Sequence, residues 1–122
     1  MRKRRIYISG AMTGLPREEY MRQFGIAEDV LAKHGYGSIN PTRVWACRWP
    51  WLYRIVGYKL TLLYDLWLLI TRADGIVFLP NWVTSRGANI EKAVSDWFYM
   101  MGVSNEVREA INNGIAELEK QP

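Results

Sequence analysis

The side chains able to do chemistry stand in a few places along the chain. Glu91 is a carboxylate one turn inside a segment that begins Ser85-Arg86-Gly87-Ala88-Asn89, where Thr84 or Ser85 can cap a helix. The unpaired N–H groups and positive dipole end at such a start favour an anion, and the missing side chain at Gly87 leaves room for one. Helical side chains lean toward the N-terminus, so the Glu91 carboxylate reaches the same space. No Lys or Arg follows it by three or four residues to form the usual surface pair. Asp65 is a carboxylate inside an otherwise apolar helical run, which is costly unless it is paired or faces a cavity. Tyr7 lies in the first strand-like run, next to the Glu91 segment by topology, and can place its hydroxyl on that carboxylate. Gly10 opens a G-x-x-x-G loop, which is not a dinucleotide fingerprint. It serves either the close approach of a ligand or simple turn geometry. His34 reads as a C-terminal helix cap, Asp74 as a turn residue and Cys47 as an inert thiol.

The elements that must position these residues follow from periodicity. Ile6-Tyr7-Ile8 is a short buried strand that leaves the sheet at Ser9-Gly10. Leu15-Pro16 opens a helix with Tyr20, Phe24, Ala27, Val30 and Leu31 on one face, closing at Lys33-His34-Gly35. Gly37-Ser38-Ile39 is a weak second strand ended by Asn40-Pro41, and Thr42 to Pro50 shows no clear period. A helical pattern runs from Trp51 to about Arg72, then Gly75 to Leu79 forms the clearest strand and stops at Pro80. Ile90, Ala93, Val94, Trp97, Phe98 and Met101 predict a helix from about Arg86 to Met101. Ser104 caps a last helix over 104–120, with Val107, Ala110, Ile111, Ile115 and Leu118 on one side. Strands alternating with helices predict an α/β fold, a small three-layer parallel sheet of Rossmann or flavodoxin type, as one domain spanning 1–122. Ligands in such sheets bind beyond the carboxyl ends of the strands.

Composition narrows the function classes. The net charge of +4 is carried by Arg2, Lys3, Arg4 and Arg5, a basic tail over residues 1–5, and the remainder is neutral. That distribution argues against nucleic acid, which is bound by cations spread over a face or helix. A single cysteine allows neither an intrachain disulfide nor a zinc cluster and fits a reduced, cytoplasmic setting. Neither a metal nor a cofactor is expected. The apolar run Trp51 to Ile70 is interrupted by Arg54, Lys59 and Asp65, which argues for a covered helix over a membrane span. The start of the chain has no signal-peptide pattern. Six tryptophans on a three-stranded sheet call for cover from another subunit, so a homo-oligomer is expected.

Taken together, Ile6-Tyr7-Ile8-Ser9-Gly10, Asp65, Ala73-Asp74-Gly75-Ile76-Val77 and Ser85-Arg86-Gly87-Ala88 with Glu91 and Ala93 resemble the nucleoside 2-deoxyribosyltransferase-like superfamily. The resemblance is closest to its branch of small phage and bacterial proteins carrying Leu-Pro-x-Trp-x-x-Ser-x-Gly-Ala, here Leu79 to Ala88. It covers roughly Arg5 to Met101. The resemblance implies that Glu91 attacks the anomeric carbon of a sugar and releases a base, as in retaining glycosidases. It further implies that Tyr7 orients Glu91, that Asp65 serves the leaving base, and that Gly10, Met12, Ser85 and Gly87 line the sugar and phosphate side. Ser85 in place of an acidic residue suits a 5′-phosphate. The first-loop arginine of the monophosphate hydrolases is replaced by Thr13, with Arg17 or Arg86 as substitutes. The resulting expectation is an N-glycosidase acting on a (deoxy)nucleoside 5′-monophosphate. Its alternatives are a base-exchanging transferase and a nucleotide-binding sensor or sequestering protein without turnover.

Overall fold

The computed structural model describes residues 3–11, 15–43 and 58–120. Three parallel strands, β1 (Arg5–Ser9), β2 (Gly37–Ile39) and β3 (Gly75–Phe78), form one sheet in the order β2-β1-β3. Tyr7 pairs with Ile39 on one side and Ile76 on the other, and Ser9 pairs with Phe78. Four helices complete the described chain: α1 (Arg17–Lys33), α2 (Tyr58–Arg72), α3 (Arg86–Trp97) and α4 (Asn105–Glu119). Short 3-10 turns at Pro41–Arg43 and Trp82–Thr84 follow β2 and β3. The predicted α/β class and three-layer parallel architecture are those observed.

Strand period explains the layers. Ile6, Ile8, Val77 and Leu79 point to one face, where they pack with Phe24, Ala27 and Leu31 of α1 and Val107, Ile111 and Ile115 of α4. Tyr7 and Ile76 point to the other, with Leu69 of α2 and the half-buried Val94 of α3. One strand-residue parity therefore builds an aliphatic core, and the other faces the layer that carries Asp65 and Glu91.

The first helix ends as its sequence predicts. Gly35 takes a left-handed φ of +84°, the Tyr36 N–H donates to Leu31 O at 2.9 Å and the Gly35 N–H to Ala32 O at 3.1 Å. This is a Schellman closure with Gly at the left-handed position. His34 Nδ1 lies 2.9 Å from Val30 O, in the capping role expected of it.

Two helix expectations need correction or lie partly beyond view. The helix predicted to run to Met101 stops at Trp97, and the intended apolar stripe is not its packed face. Ala88, Glu91 and Ser95 are buried, whereas Ala93 is exposed, Trp97 is 80% exposed and Met101 59% exposed. The helix lies over the Tyr7 and Ser9 hydroxyls, so polar and small residues fit beneath it better than large apolar ones. Its end is a second Schellman closure, Met100 N–H to Ser95 O at 2.9 Å and Tyr99 N–H to Asp96 O at 3.1 Å, with Tyr99 at φ +52° where glycine is usual. The helix predicted from Trp51 is described from Tyr58; residues 51–57, Cys47 and Thr13 lie outside the described residues. No helix among the described residues is long and apolar enough to cross a membrane.

Candidate functional site

The carboxyl end of β1 supplies two hydroxyls on one face, because Tyr7 and Ser9 are two residues apart in a strand. Both are fully buried. The Tyr7 hydroxyl donates to Glu91 Oε2, and Ser9 Oγ donates to Glu91 Oε1 at 2.8 Å. Each carboxylate oxygen of Glu91 thus has its own donor from the central strand. Glu91 is 5% exposed, and burial raises its pKa to about 7 even though the Tyr7 and Ser9 hydrogen bonds lower it.

Asp65 reaches this site from α2, which packs beside α3. It is 5% exposed, and its Oδ1 has no hydrogen-bond partner among the described residues. Burial, and secondly the charge of Glu91, raises its pKa to about 8. Two buried carboxyls that push each other's ionisation apart have distinct states near neutrality: Asp65 keeps its proton while Glu91 can lose one. Such a pair can provide a nucleophile or base together with an acid.

The loops frame the pair. Ser85 is the N-cap of α3, its Oγ accepting from the Ala88 N–H at 3.2 Å. Gly87 is half-buried in the first turn, and Arg86 is exposed beside it. Gly10 has a packing reason to be glycine. A Cβ there would stand 2.8 Å from the Leu79 side chain, and its φ is not in the left-handed region. Met12 lies outside the described residues.

Sequence reasoning missed two contributors. Ser9 was legible only as the end of a strand, although its spacing from Tyr7 already placed both on one face. Asn81 accepts from the Ala11 N–H at 3.3 Å and donates to Gln23 Oε1 at 3.2 Å. This partly buried amide chain ties the loop after β1 to the loop after β3 and to α1. Asp74 accepts from the Arg5 N–H at 2.9 Å, fixing the amino end of β1 far from the carboxyl pair. No group of acidic, histidine or cysteine side chains among the described residues is arranged to hold a metal ion.

A family model described as "Domain of unknown function (DUF4406)" matches residues 4–103, and the chain belongs to that family. No curated protein and no solved structure matches. The matched segment contains every residue of the carboxyl site and ends just before α4.

Proposed function

We propose that the chain, a member of the DUF4406 family, is an N-glycosidase that cleaves the base–sugar bond of a (deoxy)nucleoside 5′-monophosphate. The observation that carries this reading is the buried Glu91 carboxylate, held on both oxygens at the carboxyl end of the central strand beside a second, protonated carboxyl. It agrees with the roles that the resemblance to the nucleoside 2-deoxyribosyltransferase-like superfamily implies for Glu91, Tyr7 and Asp65. Glu91 attacks the anomeric carbon, forming a glycosyl ester as the bond from sugar to base nitrogen breaks, and Asp65 gives its proton to the departing base. Water then opens the ester, losing its proton to Asp65 and restoring Glu91. The unpartnered Asp65 Oδ1 supports the second role, since a buried carboxyl oxygen gains most from a ligand hydrogen bond. Ser85 and the α3 amino end take the 5′-phosphate.

The test is incubation of the protein with a panel of nucleosides and 5′-monophosphates, with chromatography for released base. Release from a monophosphate, lost in Glu91→Gln and reduced by more than about a hundredfold in Asp65→Asn, is expected. Addition of an acceptor base separates transfer from hydrolysis. Nucleotide binding without release would assign the pocket to a sensor.

The same reading includes self-association. Leu63, Trp67 and Ile70 on the outer side of α2, and Trp97, Phe98 and Tyr99 at the end of α3, are large apolar side chains left exposed. Exposed apolar surface of this kind marks contact faces. Sedimentation at several concentrations tests it, with Trp67→Glu and Trp97→Glu expected to shift the protein toward monomer.

A further inference from the structure

Among the described residues β3 is an edge strand, paired with β1 on one side only. The Leu79 N–H donates to Ser9 O at 2.8 Å, toward β1, whereas the Ile76 N–H donates to Met101 O at 2.9 Å, away from it. Backbone groups alternate in direction along a strand, so Phe78 faces the same outer side as Ile76. The chain begins to cover this edge itself. Gly75 and Met101 form a parallel bridge so close that a Cβ on Gly75 would fall 2.5 Å from Met101 O. The cover stops there, because Val103 turns into the core between α1 and α4 and the chain becomes helical at Asn105.

Beyond the bridge lies an open cavity of about 440 Å³. Its floor is the outer edge of Ile76 to Leu79. One wall is α3, with Lys92 and Ser95; the other is α4, with Arg108 and Asn112. A sheet edge between two helical layers is where the next strand of a three-layer fold would lie, about 4.8 Å from β3. We propose that this groove docks an extended, acid-bearing peptide segment of a partner protein, which pairs with the free edge of β3 as a fourth strand.

The polar groups of the groove fit that occupant. Lys92 is neutralised by Asp96 at 2.7 Å and lies 6.0 Å from the Trp82 ring centre. Arg108 makes no ion pair or hydrogen bond among the described residues, so the groove keeps one unmatched positive charge. A peptide strand supplies an N–H and a C=O for Phe78 and a carboxylate for Arg108. A simple anion would satisfy Arg108 alone. Main-chain pairing at a sheet edge with one charged anchor is an established mode of peptide capture.

The test uses the full chain and a fluorescein-labelled hexapeptide, Thr-Val-Thr-Val-Thr-Glu, followed by anisotropy. Saturable binding below about 1 mM is expected. Arg108→Glu should weaken it by roughly fivefold or more, since the charge is reversed against the acid. A peptide N-methylated at alternate residues should not bind, and bound peptide should slow amide exchange at Phe78. Arg108 is exposed, and an unchanged melting temperature establishes that its variant is folded. No saturation, equal binding of the N-methylated peptide, or equal binding by Arg108→Glu overturns the proposal. A dimer that Arg108→Glu dissociates also overturns it, because the groove's occupant is then a second copy.

Discussion

At the scale of single residues, Glu91 is governed by two opposing effects, and burial wins. Its two hydrogen bonds stabilise the ionised form, yet its pKa stands at about 7. Removing either donor therefore moves it further up. Tyr7→Phe and Ser9→Ala are each expected to raise the Glu91 pKa, seen as an upward shift of its side-chain carboxyl resonance titration in ¹³C-labelled protein. If the site turns over, the acidic limb of the pH–rate profile should move up with it. Asp65 answers to a different balance. Burial is its first cause and the Glu91 charge its second, so Glu91→Gln should lower its pKa from about 8 without returning it to an ordinary carboxyl value. An Asp65 titration unchanged in that variant would show that the two groups do not sense each other. The Tyr7 and Glu91 juxtaposition was legible because topology alone puts the first strand beside the helix after the third. Asp65 was legible as a misplaced charge. The Asn81 to Gln23 chain was not, because two amides far apart in sequence carry no spacing signal until the loops are folded.

At the scale of elements, the two Schellman closures explain why one helix end could be read and the other could not. Gly35 announces the left-handed residue that ends α1, whereas Tyr99 occupies the same conformation at the end of α3 without any such signal. With apolar residues continuing at helical spacing through Met101, the pattern reads as a longer helix than the chain forms. The left-handed conformation costs a side-chain-bearing residue roughly 1–2 kcal/mol, and Tyr99, at 92% exposure, has little packing to offset it. Tyr99→Gly is accordingly expected to stabilise the fold by about 1 kcal/mol, and Gly35→Ala to destabilise it by about the same amount, in urea denaturation. The α3 stripe shows the complementary lesson. Hydrophobic spacing identified a helix, but its buried face was chosen by what lies beneath it, the hydroxyls of Tyr7 and Ser9, and so comprises Ala88, Glu91 and Ser95.

At the scale of the whole molecule, the family match ends at residue 103, yet the fold does not. Val107, Ile111 and Ile115 of α4 share the cluster that holds Phe24 and Leu31 against β1 and β3. Burying each is worth roughly 1.5–3 kcal/mol, and the sum is comparable to the net stability of about 5–15 kcal/mol of a small domain. A chain ended at Val103 should therefore lack a cooperative thermal transition, although it retains every residue of the carboxyl site. The same site makes the whole molecule sensitive to pH. Asp65 and Glu91 have folded pKa values of about 8 and 7, above their ordinary values of 3.8 and 4.5. Between these limits the folded state holds protons that the unfolded chain has released, so stability falls as pH rises. The contribution is fully present below about pH 4, declines through neutrality and is exhausted once pH passes about 8. Urea midpoints measured from pH 5 to pH 8.5 should drop steadily in the native sequence. In Asp65→Asn with Glu91→Gln, where neither group can ionise, the midpoints should be nearly level. A native midpoint that rises across that range would show that these carboxyls are ionised and stabilised in the fold, and would remove the protonated acid on which the proposed chemistry depends.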